Sequence, residues 1–276
     1  MSLLRQNLGR IRLGVKYIAG MQKMNREFTV LPNDSFLVGY PKSGTTWLRF
    51  LVANLAYSGE QVSFENIEKF IPDPALHHDS NLLKMTQPRI LKTHRVFDPR
   101  FRKIVMIVRD PRDVMISYHK FCIKMRKFSS DASRLEFIDA FLSGQIDNYG
   151  TWEQNIGSWW GALSQDPERL LCVRYEDLTE SPIEKMTEIA GFLNLDRTDD
   201  QIRLAVERSS ANEMRKLEKQ TAHKWKALKD GDQNIAFVGK AQPNAWESKL
   251  ETEEVALIES KWKPTLERFG YSLTTC

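Results

Sequence analysis

Residues 39 to 46, Gly-Tyr-Pro-Lys-Ser-Gly-Thr-Thr, pack two glycines, a lysine and three aliphatic hydroxyls into eight positions. They fit the opening of a phosphate-binding G-x-x-x-x-G loop and then depart from it. That pattern places its lysine directly after the second glycine, with a Ser or Thr for Mg²⁺ next. Here Thr45 follows Gly44, and the lysine is Lys42, inside the loop. With a strand before and a helix after, the backbone N–H groups of Ser43, Gly44, Thr45 and Thr46 would face an anion on the helix N-terminus. The helix dipole adds about half a positive charge there, and Lys42 adds a full one. The displaced lysine, with no Walker-B-like aspartate evident, disfavours a metal-dependent kinase.

Two further segments carry chemistry of the same kind. Lys103 to Val108 (KIVMIV) runs into Arg109-Asp-Pro-Arg-Asp-Val-Met-Ile-Ser117. Asp110 suits an N-cap and Pro111 the first helical position. Arg109 then stands at the carboxyl end of a strand, where open α/β sheets bind ligands. Ser117 lies two helical turns on, so an arginine and a hydroxyl converge as a second phosphate site. The third segment, Lys92-Thr93-His94, ends a short strand, and alternation puts Lys92 and His94 on one face. A histidine there can take a proton near pH 7, and a lysine can neutralise developing negative charge.

Together these segments resemble the sulfotransferase family, its cytosolic type in particular. YPKSGTTW (Tyr40 to Trp47) is similar to the family's 5′-phosphosulfate loop, RDPRDVMIS to its 3′-phosphate motif, and LKTH (Leu91 to His94) to the strand bearing its catalytic histidine. Gly144 with Tyr149-Gly-Thr-Trp152 and Trp159-Trp160, then Arg174-Tyr-Glu-Asp-Leu178, then Ser209-Ser210 with Met214, extend the likeness over about residues 30 to 270. The resemblance implies a donor, 3′-phosphoadenosine 5′-phosphosulfate (PAPS), with PAP as product, no metal, and a small-molecule acceptor: a phenol, alcohol, lipid or sugar hydroxyl, or an amine. It implies that His94 is the base, Lys92 assists charge neutralisation, and Lys42 meets the leaving phosphate oxygen. Ser43, Gly44, Thr45 and Thr46 would hold the phosphosulfate, Arg109 and Ser117 the 3′-phosphate, and Trp47, Tyr175 and Ser209 the adenine. The family's RKGxxGDW-like clamp corresponds to Gly239-Lys-Ala-Gln-Pro-Asn-Ala-Trp246. Lys240 and Trp246 match, whereas the arginine has become Gly239. Losing an arginine–phosphate fork should weaken nucleotide binding, with Arg215, Lys216 or Lys219 as substitutes. Two alternatives stay open: a sulfotransferase-like module that binds nucleotide without turnover, and a P-loop kinase.

The elements that must position these residues alternate. Strands are expected at about 36–39, 89–93, 103–108 and 170–174, and helices at 45–57, from 111, and at 182–193. Continuous apolar strands between helices indicate a single α/β domain with a mostly parallel sheet buried on both faces. Residues 61–88 read as an irregular lid or substrate loop, with Phe64, Phe70, Phe97 and Phe121 as an apolar acceptor lining. His119 and His223 read as solvated helix residues, and the tryptophans other than Trp47 as core.

Residues 1–28 form a separate arm in this reading, ahead of a domain over 29–276. Its first 26 residues hold six basic side chains and no acidic one. Leu4, Leu8, Ile11, Val15 and Ile18 recur at helical spacing, which suits packing on the domain or contact with an anionic membrane. The 276 residues carry a net charge of only +4. That excludes a bulk nucleic-acid binder and makes any anion site local. The 41% hydrophobic and 28% charged fractions argue against disorder. Cys122, Cys172 and Cys276 are odd in number and widely spaced, which fits a reduced, cytoplasmic setting.

Overall fold

The structure, a computed structural model, describes residues 27–57, 59–239 and 242–275. The basic helix expected over residues 3–24, and with it nearly all of the 1–28 arm, lies outside the described residues. Four parallel strands form one sheet: β1 (Ser35–Val38), β2 (Ile90–Thr93), β3 (Lys103–Val108) and β4 (Leu170–Arg174), in the order β2-β1-β3-β4. Val38 pairs with Thr93 on one side and Met106 on the other, and Val108 pairs with Arg174. The four strands therefore end near one another, and each candidate segment begins where a strand stops.

Helices cover both faces of this sheet. In chain order they are α1 (Thr45–Ala56), α2 (Ile67–Phe70), α3 (Asp79–Leu82), α4 (Pro111–Lys124), α5 (Arg134–Leu142), α6 (Trp152–Leu163), α7 (Tyr175–Glu180), α8 (Pro182–Phe192), α9 (Asp199–Arg208), α10 (Ala211–Thr221) and α11 (Thr252–Arg268). Leu37, Val105 and Ile107 point into a core shared with α1, α8 and α9. Phe36, Val38, Ile104, Met106 and Val108 point into the opposite core, with α4, α6 and α11. Apolar side chains alternate to both faces, which is why these strands read as uninterrupted hydrophobic runs.

Three sequence expectations are corrected. Residues 61–88 are not irregular throughout, since α2, α3 and a 3₁₀ turn at Pro74–Leu76 occupy them. The turn is capped by Asp73, whose side chain accepts from the Ala75 N–H. Phe64 and Phe70 are core residues, 0% and 2% exposed, rather than an open lining. Both pack against aromatic neighbours, Phe64 on Phe50 and Trp225 and Phe70 on Tyr57. His119 is not solvated: its ring packs on Phe137 at 4.8 Å, because α5 folds across its face of α4.

One buried ionic network fastens the start of α4 to the far end of the chain. Arg112 is 2% exposed and pairs with Asp110 at 2.7 Å and with Glu259 of α11 at 2.5 Å. Glu259 also accepts the backbone N–H groups of Thr274 and Thr275. Removing one partner leaves a buried charge uncompensated, which typically costs about 3–5 kcal/mol. Glu259→Ala is expected to lose stability of that order in equilibrium urea unfolding. A change below about 1 kcal/mol would mean that water takes over the carboxylate's place.

Candidate active site

The loop between β1 and α1 is shaped for an anion by its backbone. Lys42 and Gly44 both adopt positive φ, 68° and 96°, so the chain doubles back between Tyr40 and Thr45. A Cβ at Gly44 would stand 2.6 Å from the Tyr175 ring, and one at Gly39 would stand 2.7 Å from the Ile107 carbonyl. Both glycines are therefore required by close approach as well as by turn geometry. Helix α1 starts with no side-chain cap. Its first N–H groups have no partner within the helix, and they face outward at the strand ends. Two buried donors lack a protein partner as well: the Ser43 hydroxyl and the Arg109 Nε. Unpaired buried donors normally cost free energy, and an anionic ligand at this edge would satisfy both.

His94 follows directly on β2. Its Nδ1 lies 2.6 Å from the Gly39 carbonyl oxygen. A carbonyl only accepts, so Nδ1 carries the proton and Nε2 keeps its lone pair. Burial, followed by the Lys92 charge, lowers the imidazole's pKa to about 3. The ring is thus neutral at pH 7, with its basic nitrogen turned away from Gly39. Asn155 of α6 fixes the same stretch, donating to the His94 carbonyl at 2.9 Å and to the Tyr149 carbonyl at 3.2 Å. The Tyr149 ring stands edge-on to His94 at 5.5 Å.

Lys92 is held by a carboxylate. Its Nζ lies 2.9 Å from Asp73 Oδ2. Burial alone would raise the Asp73 pKa, but Lys92 and His94 outweigh it and keep the carboxyl below its ordinary value. Glu68 in turn accepts the Asp73 backbone N–H, the Trp225 indole N–H and an Arg49 ion pair at 2.7 Å. The segment leading to Asp73 is thereby anchored to α1.

On the other side of the loop, the Arg109 guanidinium lies over the Tyr175 ring at 4.2 Å and reaches Asp113 at 3.3 Å. Trp47 stands edge-on to Tyr175 at 5.5 Å, and its indole N–H donates to the Ser209 carbonyl at 2.9 Å. Ser209 itself is fully buried, and its hydroxyl accepts from Asn54. Lys42 lies at the loop's tip, and burial pulls its pKa down to about 7, with Arg109 adding to the effect.

The structure thus gathers Lys42 to Trp47, Lys92, His94, Arg109, Tyr175 and Ser209 at one sheet edge. Ser117 lies two turns into α4 and is partly exposed. Lys240 lies outside the described residues. Sequence reasoning missed the roles of Asp73, Asp113 and Asn155, and named Tyr149 only as part of a motif. Asp113 was within reach, four residues beyond Arg109 on a helix. Asp73 and Asn155 meet their partners across 19 and 61 residues, and no local pattern announces that. Glu176 accepts from the Asp110 N–H and from the Tyr271 hydroxyl, a structural role. Among the described residues no group of three or more His, Cys, Asp or Glu is arranged to hold a metal ion.

A parallel α/β sheet whose strand ends carry an uncapped glycine-containing loop beside an oriented imidazole defines the architectural class. The family model described as "Sulfotransferase domain" matches residues 32–270, and the chain belongs to that family. It is 26% identical to sulfotransferase 1A1 of Canis lupus familiaris over 281 residues, covering 95% of this chain and 92% of the relative. It is 30% identical to sulfotransferase 1E1 of Cavia porcellus over 203 residues, 68% of each chain. Among solved structures, mouse sulfotransferase SULT7A1 complexed with PAP matches with a TM-score of 0.68 at 22% identity, over 87% of this chain and 86% of that one. Retinol dehydratase in complex with androsterone and PAP matches with a TM-score of 0.69 at 19% identity, over 90% and 84%. At these identities the structural likeness establishes the fold.

Proposed function

We propose that this chain transfers the sulfuryl group of PAPS to a hydroxyl of a small phenol or alcohol, with His94 as general base. The observation that carries the reading is the hydrogen bond from His94 Nδ1 to the Gly39 carbonyl. It ties a basic Nε2 to the same loop that offers unpaired donors to an anion. His94 Nε2 takes the acceptor's hydroxyl proton as the oxygen bonds to sulfur. Lys42 receives the negative charge that gathers on the phosphate oxygen as its bond to sulfur breaks. Such transfer needs positioning and charge neutralisation more than covalent help from the protein. Backbone donors, a dipole and a lysine supply both.

Ser43 to Thr46 would hold the 5′ end of the donor, and Arg109 with Ser117 its 3′-phosphate. Trp47 and Tyr175 provide an aromatic pair suited to adenine. Arg215, which donates to the Gly239 carbonyl at 3.0 Å, would stand in for the clamp's missing arginine. Lys240 would assist from the neighbouring position. Relatives' structures with PAP, androsterone and retinol support a nucleotide beside a small apolar acceptor. The thiols suit a reduced, cytoplasmic compartment.

Incubation with ³⁵S-labelled PAPS and a panel of phenols and alcohols, without added Mg²⁺, should give labelled acceptor. Turnover only with ATP and Mg²⁺ would refute the proposal. PAP binding without transfer to any acceptor would favour the non-catalytic reading. Arg109→Ala is expected to weaken PAP binding by about 10- to 150-fold, matching the roughly 1.5–3 kcal/mol of a charged hydrogen bond. Calorimetric titration measures this, and an unchanged Kd would remove Arg109 from the phosphate site.

A further inference from the structure

Lys42 is seated unlike the other cations of this site. Lys92 and Arg109 each have a carboxylate within 3.3 Å or less. The Lys42 ammonium instead lies over two aromatic rings, 3.8 Å from the centroid of Phe237 and 4.5 Å from that of Phe121. No carboxylate pairs with it among the described residues. Four charged or titratable groups face it: Arg109 at the end of β3, Cys122 and Lys120 on α4, and Glu218 on α10. Phe121 comes from α4, whereas Phe237 comes from the irregular segment that follows α10.

That segment is fastened at two places. The Lys124 ammonium, on a fully buried side chain, donates to the carbonyls of Asp232 and Ile235 at 2.8 and 2.7 Å. The Glu218 carboxylate accepts the Phe237 and Val238 N–H groups at 2.5 and 2.9 Å. Phe237 is also edge-on to Phe121, Phe64 and Trp225. Phe237 and Phe121 thus meet Lys42 directly, and Phe64 and Trp225 back Phe237. A cation over a ring face is stabilised by the ring quadrupole. The same rings shield part of a half-buried side chain from water, which lowers the cost of reorganisation when charge develops nearby. Unlike a carboxylate, they do not neutralise the charge that an incoming anion needs.

We propose that Phe237, together with Phe121, is a positioning residue for Lys42: the two rings form an aromatic seat, delivered by the segment after α10, that shields the ammonium and leaves it without a counter-charge until an anion enters the loop. The catalytic consequence rests on the function proposed above, but the seat itself does not. An arriving anion favours the charged form, so it adds to the charge that the seat leaves unpaired. In the free protein the neutral amine is available near pH 7, and lysines in water are not.

The test labels the intact free chain with trace acetic anhydride across pH 5 to 11 and follows Lys42 acetylation by peptide mass spectrometry. Only the neutral amine reacts, so the midpoint reports its titration. Lys42 is expected to titrate at about 7. Phe237→Ala, which admits water, should move the midpoint up by at least about one unit toward the ordinary lysine value. Phe237→Tyr should keep it near that of the parent. Phe121→Ala repeats the test from the second ring should Phe237→Ala not unfold cooperatively. A parent midpoint near 10, or alanine variants with the parent's midpoint, overturns the seat. With labelled PAPS, Phe237→Ala should lower kcat by about 2- to 30-fold, the equivalent of a cation–π contact. Phe237→Tyr should restore it. A parent chain that transfers no sulfuryl group refutes the proposed function while leaving the titration to decide the seat.

Discussion

His94→Ala is expected to lower kcat for sulfuryl transfer by about 10²–10⁴-fold, the usual range for a lost general base. The KM for the donor should change little, because His94 bonds the loop backbone rather than any loop donor. His94→Gln discriminates further. Glutamine can restore the hydrogen bond to Gly39 but cannot take a proton, so it should rescue folding without rescuing turnover. Near-parent turnover in His94→Ala would remove the residue from the chemistry. The geometry explains why the base is available before substrate arrives. Burial lowers the imidazole's pKa to about 3, so nearly all of it is neutral at pH 7, and its tautomer is already set by Gly39. The base is therefore ready in every molecule of free enzyme. Asn155→Ala should show part of the same loss, since it only releases the backbone that carries His94.

Lys42→Met is expected to reduce kcat by about 10²–10³-fold, comparable with removing one preorganised donor from a developing oxyanion. Methionine keeps the unbranched stem and can still pack against Phe121 and Phe237. The change therefore isolates the charge. PAP affinity measured by calorimetry should fall less than kcat does, because the backbone donors of the loop and Arg109 remain. If kcat holds and only PAP affinity falls, Lys42 binds the nucleotide uniformly and does not act on the leaving oxygen. Lys92 cannot take over, as its ammonium is engaged by Asp73.

The two expectations differ in how visible they were along the chain. The anion loop could be read because its parts are local: two glycines, a lysine and hydroxyls in eight residues, between an apolar strand and a helix. The Asp110–Pro111 start of α4 was equally legible, and the Asp110 side chain does accept the Arg112 N–H. The pocket lining was not. Phe64 and Phe70 stand in a segment with no clear period, and an aromatic there reads the same whether it faces solvent or core. Their burial follows from the segment packing on Phe50 of α1 and on Tyr57 just after it, a tertiary event. Phe237 carried no signal either, since what matters about it is a lysine almost two hundred residues earlier.

The sequence by itself determined the sheet, its strands, the loop and the two residues that stand at strand ends, Arg109 and His94. It could do so because strand periodicity, capping and glycine-rich turns depend on neighbours within one or two turns. The tertiary structure alone decided the state of the site's charged groups. It set the proton on His94 Nδ1 through Gly39, neutralised Lys92 with Asp73, left Lys42 on aromatic faces and left Arg109 Nε without a partner. Those outcomes depend on which groups meet across the parallel register and on how much water is removed when they meet, and neither quantity is written in local sequence.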